Sequence, residues 1–395
     1  MSNFNTRVMN IQTLEEMKKE IQLIGPDETG GALMAPKALH KVIKVQGLRP
    51  EAATIIKQEL LARGGDAVTT RGVLNCTAPS SDILMMATLK QYKQVIKKLK
   101  MQPFGLKKLG EELESILDNN TRETKKETRC KKGVFHWGSR TYIMGILNVT
   151  PDSFSDGGRF FNFDQALAQA KRMVEEGADI IDVGGESTRP GHTRISDQEE
   201  IERIAPILEV LVKEIQVPIS VDTYKSQVAK AALEIGVDMV NDIWGLLEDP
   251  ELAKVAAQYD APLILMHNKK DTEYVSLMDE ILASLRQSVN LAKEAGVREE
   301  NLIIDPGIGF GKTYEQNVET MRHLADLRTL SYPILLGTSR KSIVGKTLDL
   351  PADERVEGTA ATVALGITKK AADIVRIHDV KEMVRVARMT DAMVR

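Results

Sequence analysis

Apolar residues recur in eight short runs along residues 136–395, and longer amphipathic stretches separate these runs. The runs occupy 141–147, 178–183, 218–221, 238–241, 262–266, 301–304, 333–337 and 373–377. In the stretches between them, such as 164–177 and 225–236, apolar positions repeat every three or four residues, as on one face of a helix. Short apolar strands that alternate with helices indicate parallel βαβ units.

Eight such units match a TIM (β/α)8 barrel in both number and total length. A doubly wound sheet is the alternative, but such a sheet rarely contains eight units of even size. We therefore predict an α/β fold in which a TIM barrel spans residues 136–395. In a TIM barrel the functional side chains lie at the carboxyl ends of the strands.

The pattern in residues 1–120 is less regular and predicts a small α/β or α+β module. The helical patterns lie at 13–24, 50–64, 89–101 and 107–118, and the β-like runs lie at 40–46 and 82–87. Residues 121–135 are mostly polar and charged, which predicts a charged linker between the two domains. The module shows no group of catalytic residue types, so its function is left open.

The composition is that of a globular protein with a large core, because 42% of the 395 residues are hydrophobic and 28% are charged. No run of about 18 apolar residues is present, so we expect no membrane span. The first residues lack a basic patch followed by an apolar core, so we expect no signal peptide and predict a cytoplasmic location. With only Cys76 and Cys130, and no HExxH or CxxC motif, a disulfide framework or a zinc site is not expected.

The charge is uneven along the chain. Residues 1–135 contain 23 Lys and Arg against 15 Asp and Glu, a balance of +8, and the remainder contains 30 against 41, a balance of −11. A basic surface can bind nucleic acid. Lysines at helical spacing with few aromatic residues are more typical of a solvated helix face, so we expect no nucleic-acid partner.

Almost every predicted barrel strand ends in a polar or charged residue. In chain order these are Asn148, Asp182 with Glu186, Asp222, Asn241 with Asp242, His267, Asp305, Ser339 to Lys341, and Arg376 with His378. A single acidic residue after a strand is more often a helix cap than a catalytic group. A whole rim of such residues is difficult to explain by capping. The mixture of amides, carboxylates and cations suits a polar heterocycle and an anionic leaving group.

The glycine-rich string DPGIGFGK, residues 305–312, is neither a Walker A loop nor a GxGxxG motif. A Walker A loop needs a glycine where Pro306 stands, and the three glycines here are evenly spaced. We interpret the string as a turn at which the backbone and Lys312 approach a ligand.

Seven motifs of the predicted barrel together resemble the signatures of dihydropteroate synthase, over residues from about 137 to 395. They are MGILNVTPDSFSDGG (144–158), DVGGESTRPG (182–191), SVDTYKS (220–226), NDI (241–243), DPGIGFGK (305–312), SRKS (339–342) and RIHD (376–379). The resemblance implies a Mg²⁺-dependent condensation of 6-hydroxymethyl-7,8-dihydropterin pyrophosphate with p-aminobenzoate to give 7,8-dihydropteroate and pyrophosphate. The family's chemistry resembles an SN1 process, which explains the absence of an obvious base–nucleophile pair.

The resemblance also implies roles for individual residues. The pterin would bind to Asp222, Asn241, Met266, Asp305, Phe310 and Lys341, and the catalytic residues would be Asp222, Asp305, Lys341 and Arg376. A buried carboxylate such as Asp305 can accept two adjacent N–H groups of the pterin. The amide of Asn241 offers a donor and an acceptor, and Arg376 would stack on the ring and reach a phosphate.

Further residues would bind the other ligands. Pyrophosphate would contact Asn148, Thr188, Arg376 and His378, and Mg²⁺ would bind to Asn148 and Asp156. The p-aminobenzoate would contact Phe154, Pro190 and Ser342, beside the loop residues Asp152, Ser153, Ser155, Asp156, Ser187 and Arg189. Sulfonamides would then compete with p-aminobenzoate.

Two alternative functions share the pterin site. A pterin-binding methyltransferase would not need the DSFSDGG, SRKS and RIHD strings, and a silent pterin-binding protein would be expected to lack Asn148, Asp222 or Lys341.

The resemblance further implies a homodimer whose ligands are small molecules. The function of residues 1–120 is left open between an interaction or oligomerisation domain, a regulatory element and a second folate-pathway activity, and we expect residues 130–395 alone to retain activity.

Overall fold

The computed structural model describes residues 4–75, 77–121, 127–149, 159–186 and 194–395. The chain divides into two compact units, Met1–Glu123 and Thr124–Arg395. Several residues with predicted roles lie outside the described residues, namely Asp152, Ser153, Phe154, Ser155, Asp156, Ser187, Thr188, Arg189 and Pro190.

The first unit is built around a three-stranded antiparallel sheet with the strand order β1-β3-β2. Its elements are α1 (Leu14–Ile24), α2 (Glu28–Ala38), β1 (His40–Leu48), α3 (Pro50–Leu61), β2 (Asp66–Thr69), β3 (Ser81–Thr88), α4 (Leu89–Leu99) and α5 (Leu106–Thr121). Its core packs Ile56 and Leu60 of α3 and Tyr92 of α4 against Met85 of the sheet. The apolar stripes of α3 and α4 were therefore sufficient to predict these two helices.

Two elements of the first unit are absent from the sequence predictions. Helix α2 contains Gly30, Gly31 and Pro36, which are poor helix formers, although Asp27 caps its first turn by accepting from the Gly30 N–H at 2.8 Å. Strand β2 has only four residues, too few to show a clear alternation.

Part of the predicted charged linker is a β-hairpin of the second unit, which corrects the boundaries 121–135. Strand β4 (Glu127–Cys130) pairs with β5 (Gly133–His136) in antiparallel fashion. Phe135 and Trp137 stack with ring centroids 5.4 Å apart and join the apolar interior of the barrel. Buried Thr128, Phe135 and Trp137 alternate with exposed residues such as Arg129 and His136, so the average polarity of the segment concealed its strands.

The second unit is a closed barrel of eight parallel strands, as predicted. The strands are β6 (Tyr142–Asn148), β7 (Ile180–Gly184), β8 (Ile219–Asp222), β9 (Met239–Asp242), β10 (Leu263–Met266), β11 (Leu302–Asp305), β12 (Leu335–Leu336) and β13 (Ile374–Ile377). Their order is β11-β10-β9-β8-β7-β6-β13-β12. A parallel bridge between Ile304 and Ile334 joins the two ends of this order.

Helices surround the barrel and cover the outward side chains of the strands. They are α6 (Arg159–Glu176), α7 (Asp197–Glu214), α8 (Ser226–Ile235), α9 (Glu251–Gln258), α10 (Leu277–Glu294), α11 (Tyr314–Arg322), α12 (Ser342–Leu348), α13 (Val356–Thr368) and α14 (Val380–Val394). In the described part of the chain, no helix combines the length and the apolar character needed to cross a membrane.

The alternation of side chains along each strand determines which residues reach the carboxyl end of the barrel interior. One inward layer is apolar and includes Ile180, Met239, Ile264, Ile303 and Ile374. The next residue of each strand points outward to the helices, as shown by Ile181, Val240, Leu265, Ile304 and Val375. The residue two positions after each of these inward apolar residues also points inward, and it lies at the carboxyl end of the strand. These residues are Asp182, Asn241, Met266, Asp305 and Arg376.

Candidate active site

The guanidinium of Arg376 connects two carboxylates at the carboxyl end of the barrel. Its Nε donates to Asp182 Oδ2 and its Nη2 donates to Asp222 Oδ2, each at 2.6 Å. The Nδ2 of Asn241 donates to the same Asp182 Oδ2 at 3.2 Å. Charge-assisted hydrogen bonds are strong and directional, so these side chains hold one another in a defined arrangement.

Burial controls the protonation of Asp222. Loss of hydration raises the pKa of this carboxyl to about 7, with Arg376 acting in the opposite direction and Asp182 raising the pKa further. Burial by itself would lower the pKa of Arg376, but Asp182 and Asp222 outweigh this effect and the pKa is raised. The site therefore combines a permanently charged guanidinium with a carboxyl that titrates near neutral pH.

Asp305 lies at the end of β11, where the chain turns sharply. Burial raises the pKa of the Asp305 carboxyl, while Lys341 and the N–H of Gly307, which donates to Oδ1 at 2.7 Å, lower it. Gly307 has a φ of 66°, and a Cβ there would lie 1.9 Å from the carbonyl oxygen of His267. Only glycine fits this turn, which brings a backbone N–H to the carboxylate.

Lys341 precedes α12, and its ammonium points back into the barrel mouth. It donates to the Ile308 carbonyl and lies 4.6 Å from the centre of the Phe310 ring. Burial lowers the pKa of Lys341 to about 8, with Asp305 opposing the shift. Ser342, the first residue of α12, is exposed.

One side of the site is apolar. Tyr224, Ile243 and Met266 form a small buried cluster, against which Trp244 and Phe310 pack. Met266 is the last residue of β10, and the other four follow the ends of β8, β9 and β11. The predicted pterin residues Met266 and Phe310 therefore lie in one wall, and such a wall suits the face of a flat ring.

The SRKS and RIHD motifs brace each other. The Ser339 Oγ accepts from the His378 backbone N–H at 3.0 Å and lies 3.0 Å from His378 Nδ1. The Arg340 guanidinium forms a two-pronged ion pair with Asp379. Of the three polar residues in this loop, Lys341 alone extends toward Asp305, so the other two serve to hold the loop on β13.

A buried ionic cluster joins the segment after β7 to α7 and to the residue before α8. The ammonium of Lys225 is 2.5 Å from Glu186 Oε2 and 2.7 Å from Glu200 Oε2, and it donates to the Ile195 carbonyl at 2.8 Å. All three charged side chains are at most 4% exposed. Glu186, named above as a strand-end residue, therefore has a structural partner.

Lys312 has a different environment from the one that its position predicted. Its ammonium donates to the carbonyls of Gly307 and Phe310, at 3.0 and 3.1 Å, and lies 2.9 Å from His267 Nδ1. Burial lowers the pKa of Lys312 to about 7 and that of His267 to about 3, so the imidazole is neutral. Lys312 therefore stabilises the DPGIGFGK turn from within, a role that no local pattern indicates.

Asn148 fits the predicted Mg²⁺ site in its chemistry. Its side chain is exposed at the end of β6, and a Cβ on Gly184 would lie 3.7 Å both from its Oδ1 and from Asp222 Oδ2. Among the described residues, no three His, Cys, Asp or Glu side chains form a metal-binding group. An amide oxygen is among the donors that Mg²⁺ accepts, so Asn148 would be able to hold the ion at this position.

The chain matches known proteins across the barrel. A family model described as pterin binding enzyme matches residues 144–378. The dihydropteroate synthase of Clostridium beijerinckii is 57% identical over 261 residues, covering 66% of this chain and 97% of that protein. The dihydropteroate synthase of Bacillus subtilis is 53% identical over 263 residues, covering 67% and 92%.

Solved structures agree with these relatives. A dihydropteroate synthase from Clostridium difficile in the presence of pteroic acid superposes with a TM-score of 0.65 at 54% identity, covering 66% of this chain and 99% of that one. A Halobacterium salinarum protein described as a probable bifunctional folylpolyglutamate synthase/dihydropteroate synthase is 38% identical over 97% of this chain, which spans 46% of its length. The matched residues include the strand-end motifs, and the chain therefore belongs to the dihydropteroate synthase family of pterin-binding enzymes.

Proposed function

We propose that this chain is a transferase that condenses 6-hydroxymethyl-7,8-dihydropterin pyrophosphate with p-aminobenzoate. The observation that supports this most directly is the arrangement in which Arg376 links Asp182 and Asp222 while Asn241 bonds to Asp182. A pterin presents adjacent N–H donors and a carbonyl along one edge, and these match buried carboxylates, an amide and an ammonium.

In this proposal the pterin edge meets Asp305, Asn241 and Lys341, and its face lies on the wall formed by Met266 and Phe310. The Asp305 carboxylate accepts N–H groups of the aminopyrimidinone. Lys341, which Asp305 attracts, donates to the ring carbonyl or a ring nitrogen. The turn after β11 holds both charged groups. The Gly307 N–H donates to Asp305, and Lys341 donates to the Ile308 carbonyl, which supports this assignment.

The reaction breaks the bond between the exocyclic methylene carbon and the pyrophosphate oxygen, and the electron pair leaves with pyrophosphate. Positive charge then develops on the methylene and the conjugated ring, close to Asp222. The arylamine nitrogen of p-aminobenzoate attacks the carbon, forms the new C–N bond and loses a proton. Fixed charges in a buried site stabilise such separated charges more than water does.

Pyrophosphate leaves as an anion and needs cationic partners. We assign His378 and Arg376 to its oxygens, together with Thr188, and Asn148 and Asp156 to Mg²⁺. When bound, Mg²⁺ would neutralise charge on the leaving group. The p-aminobenzoate would lie against Phe154 and Pro190 with its carboxylate near Ser342, and sulfonamides would compete there. A Yersinia pestis dihydropteroate synthase, 39% identical to this chain, was solved with a sulfonamide drug.

The test is pyrophosphate release by the purified chain with both substrates and Mg²⁺, with dihydropteroate followed by chromatography. Lys341→Ala should lower turnover by about 100-fold or more, because it removes a buried cation from the site. Lys346→Ala, on the exposed face of the same helix, is the matched control and should leave turnover unchanged. Mg²⁺ removal by chelation should abolish turnover.

The same assay separates the rivals. Tight pterin binding without pyrophosphate release would favour a silent pterin-binding protein. Transfer of a methyl group from methyltetrahydrofolate would favour a methyltransferase. A homodimer is the assembly that the family resemblance implies, and light scattering at micromolar concentration measures it directly.

A further inference from the structure

We propose that Asp182 is a positioning residue whose buried carboxylate fixes the orientations of Asn241 and Arg376 in the ligand site. The inference rests on the proposed function for the identity of the ligand. Asp182 lies in β7 and is fully buried. One of its oxygens, Oδ2, accepts from both the Asn241 amide and the Arg376 guanidinium.

The chemistry of a carboxylate determines which way the Asn241 amide faces. The Asp182 Oδ2 accepts a hydrogen bond from Asn241, and only the nitrogen of the amide can donate one, so this nitrogen points to Asp182. The carbonyl oxygen of Asn241 then points away from Asp182 and is available to accept an N–H of the ring. Without Asp182 both orientations of the Asn241 amide would be accessible. In one of them the amide would present its N–H donor to an N–H donor of the ligand.

Asp182 also determines the direction of the guanidinium. Arg376 uses Nε for Asp182 and Nη2 for Asp222, which lie on adjacent strands β7 and β8. With two anchors on one planar group, the plane of the guanidinium is set. A single anchor on Asp222 would leave the plane free to rotate about that bond.

A further observation points to a ligand at this place. The second oxygens of both carboxylates, Asp182 Oδ1 and Asp222 Oδ1, are buried and have no hydrogen-bond partner among the described residues. Buried acceptors without partners destabilise a fold, and they are retained where function requires them. Their presence at the same rim supports a role for this pair in the site rather than in packing.

The experiment is a double-mutant cycle on the affinity for pteroic acid, measured by calorimetry on the full chain. Asp182→Asn keeps the volume but removes the charge, and Asn241→Ala removes the amide. We expect each single variant to weaken binding by roughly 10-fold to 100-fold, as for the loss of a hydrogen bond to a charged group. The loss of affinity in the double variant should be smaller than the product of the two single fold-losses, because Asp182 acts partly through Asn241.

Two results would overturn the proposal: wild-type affinity in Asp182→Asn, or losses that multiply in the double variant. Ser220→Ala is the control, because Ser220 pairs in register with Asp182, is equally buried and has an unpartnered hydroxyl. Ser220→Ala should leave the affinity for pteroic acid unchanged. This result would show that loss of a polar group beside Asp182 is not sufficient to weaken binding.

A second measurement does not depend on the stability of the variants or on turnover. In the unliganded wild-type chain labelled at asparagine nitrogen, the side-chain NH2 of Asn241, identified by its loss in Asn241→Ala, should exchange slowly with solvent. Fast exchange like that of an exposed asparagine would contradict the proposal. This readout needs no ligand. A chain that failed to release pyrophosphate would therefore refute the proposed function, but the contact between Asp182 and Asn241 could still be tested.

Discussion

Arg376 has a geometry that lysine cannot reproduce. Its planar group bonds to Asp182 through one nitrogen and to Asp222 through another, both at 2.6 Å. An ammonium is a single point charge on a flexible stem, so it would serve one carboxylate at a time. The arrangement of the pterin site thus depends on the shape of the cation as well as on its charge.

We therefore predict that Arg376→Lys lowers kcat/KM by about 100-fold although the charge is kept. Steady-state assays of pyrophosphate release measure the effect. The control is Arg385→Lys, on the exposed side of α14, which should behave as the wild type. Equal activity of Arg376→Lys and the wild type would show that charge alone is required.

The raised pKa of Asp222 gives stability a particular pH dependence. The carboxyl has an ordinary pKa of 3.8 when unfolded and about 7 when folded. Between these values the folded state binds more protons than the unfolded state, so this group makes the fold less stable as pH rises through the window. Asparagine does not titrate and removes this contribution.

The gain in Tm of Asp222→Asn over the wild type should thus be larger at pH 8 than at pH 5, by roughly 5–10 °C. Thermal unfolding of the unliganded proteins at the two pH values measures this difference. Asp353→Asn, an exposed carboxyl, should show the same Tm difference at both pH values. A pH-independent gain for Asp222→Asn would refute the prediction.

The strand-end positions of several candidate site residues are predictable from the sequence, because side chains alternate along each strand. Asp222, Asn241, Asp305 and Arg376 all occupy inward positions at strand ends, because each follows an inward residue by two places. The role of Asp182 could not be inferred in the same way. Its function depends on which neighbours share its oxygen, and they come from strands distant in the sequence.

At the scale of elements, the cluster around Lys225 shows how loop ends are fixed. Lys225 precedes α8, Glu186 follows β7, and Glu200 lies in α7, so one ammonium connects three elements. Each carboxylate would be a buried uncompensated charge without this partner. The pairing was not predictable, because the three charged residues are far apart in the sequence and nothing in the sequence distinguishes them from solvent-exposed ones.

Lys225→Met should lower the free energy of unfolding by about 3–5 kcal/mol, the usual result of leaving buried charges unpaired. Chemical denaturation measures the loss. The comparison is Lys230→Met in α8, the helix that follows Lys225. The Lys230 side chain is 47% exposed, and its replacement should change stability by less than about 1 kcal/mol. A Lys225→Met loss of the same small size would show that the cluster is not structural.

At the scale of the whole molecule, the regular repetition of strand and helix made the barrel predictable from the sequence. The strand bounds lie within about two residues of the predicted runs, as expected for strongly periodic segments. The hairpin β4–β5 was not predicted, because it has few buried residues and its overall composition is polar and charged. Thr128, Phe135 and Trp137 are buried, and Thr128 Oγ accepts from Trp137 Nε1 at 3.0 Å.

The hairpin changes the expected limits of an active fragment. A fragment that starts at residue 130 would lose almost all of β4, whereas one that starts at Thr124 keeps the complete second unit. We predict that residues 124–395 fold and retain kcat within about threefold of the full chain, and that residues 138–395 are less stable by about 3–5 kcal/mol. Activity and denaturation of the two fragments test this. An inactive but folded 124–395 fragment would assign a catalytic role to the first unit.

The alternation of inward and outward residues has a consequence for how this sequence can change. Deleting one residue between Ile180 and Asp182 would turn Asp182 outward, into the apolar layer that contains Ile204 and Leu208. It would also bring Val183 into the ligand site. Length changes inside the strands are therefore excluded, whereas surface turns between a helix and the next strand can accept them. Insertions and deletions among natural variants should accordingly be rare inside the strands and more frequent in the loops and turns that connect them.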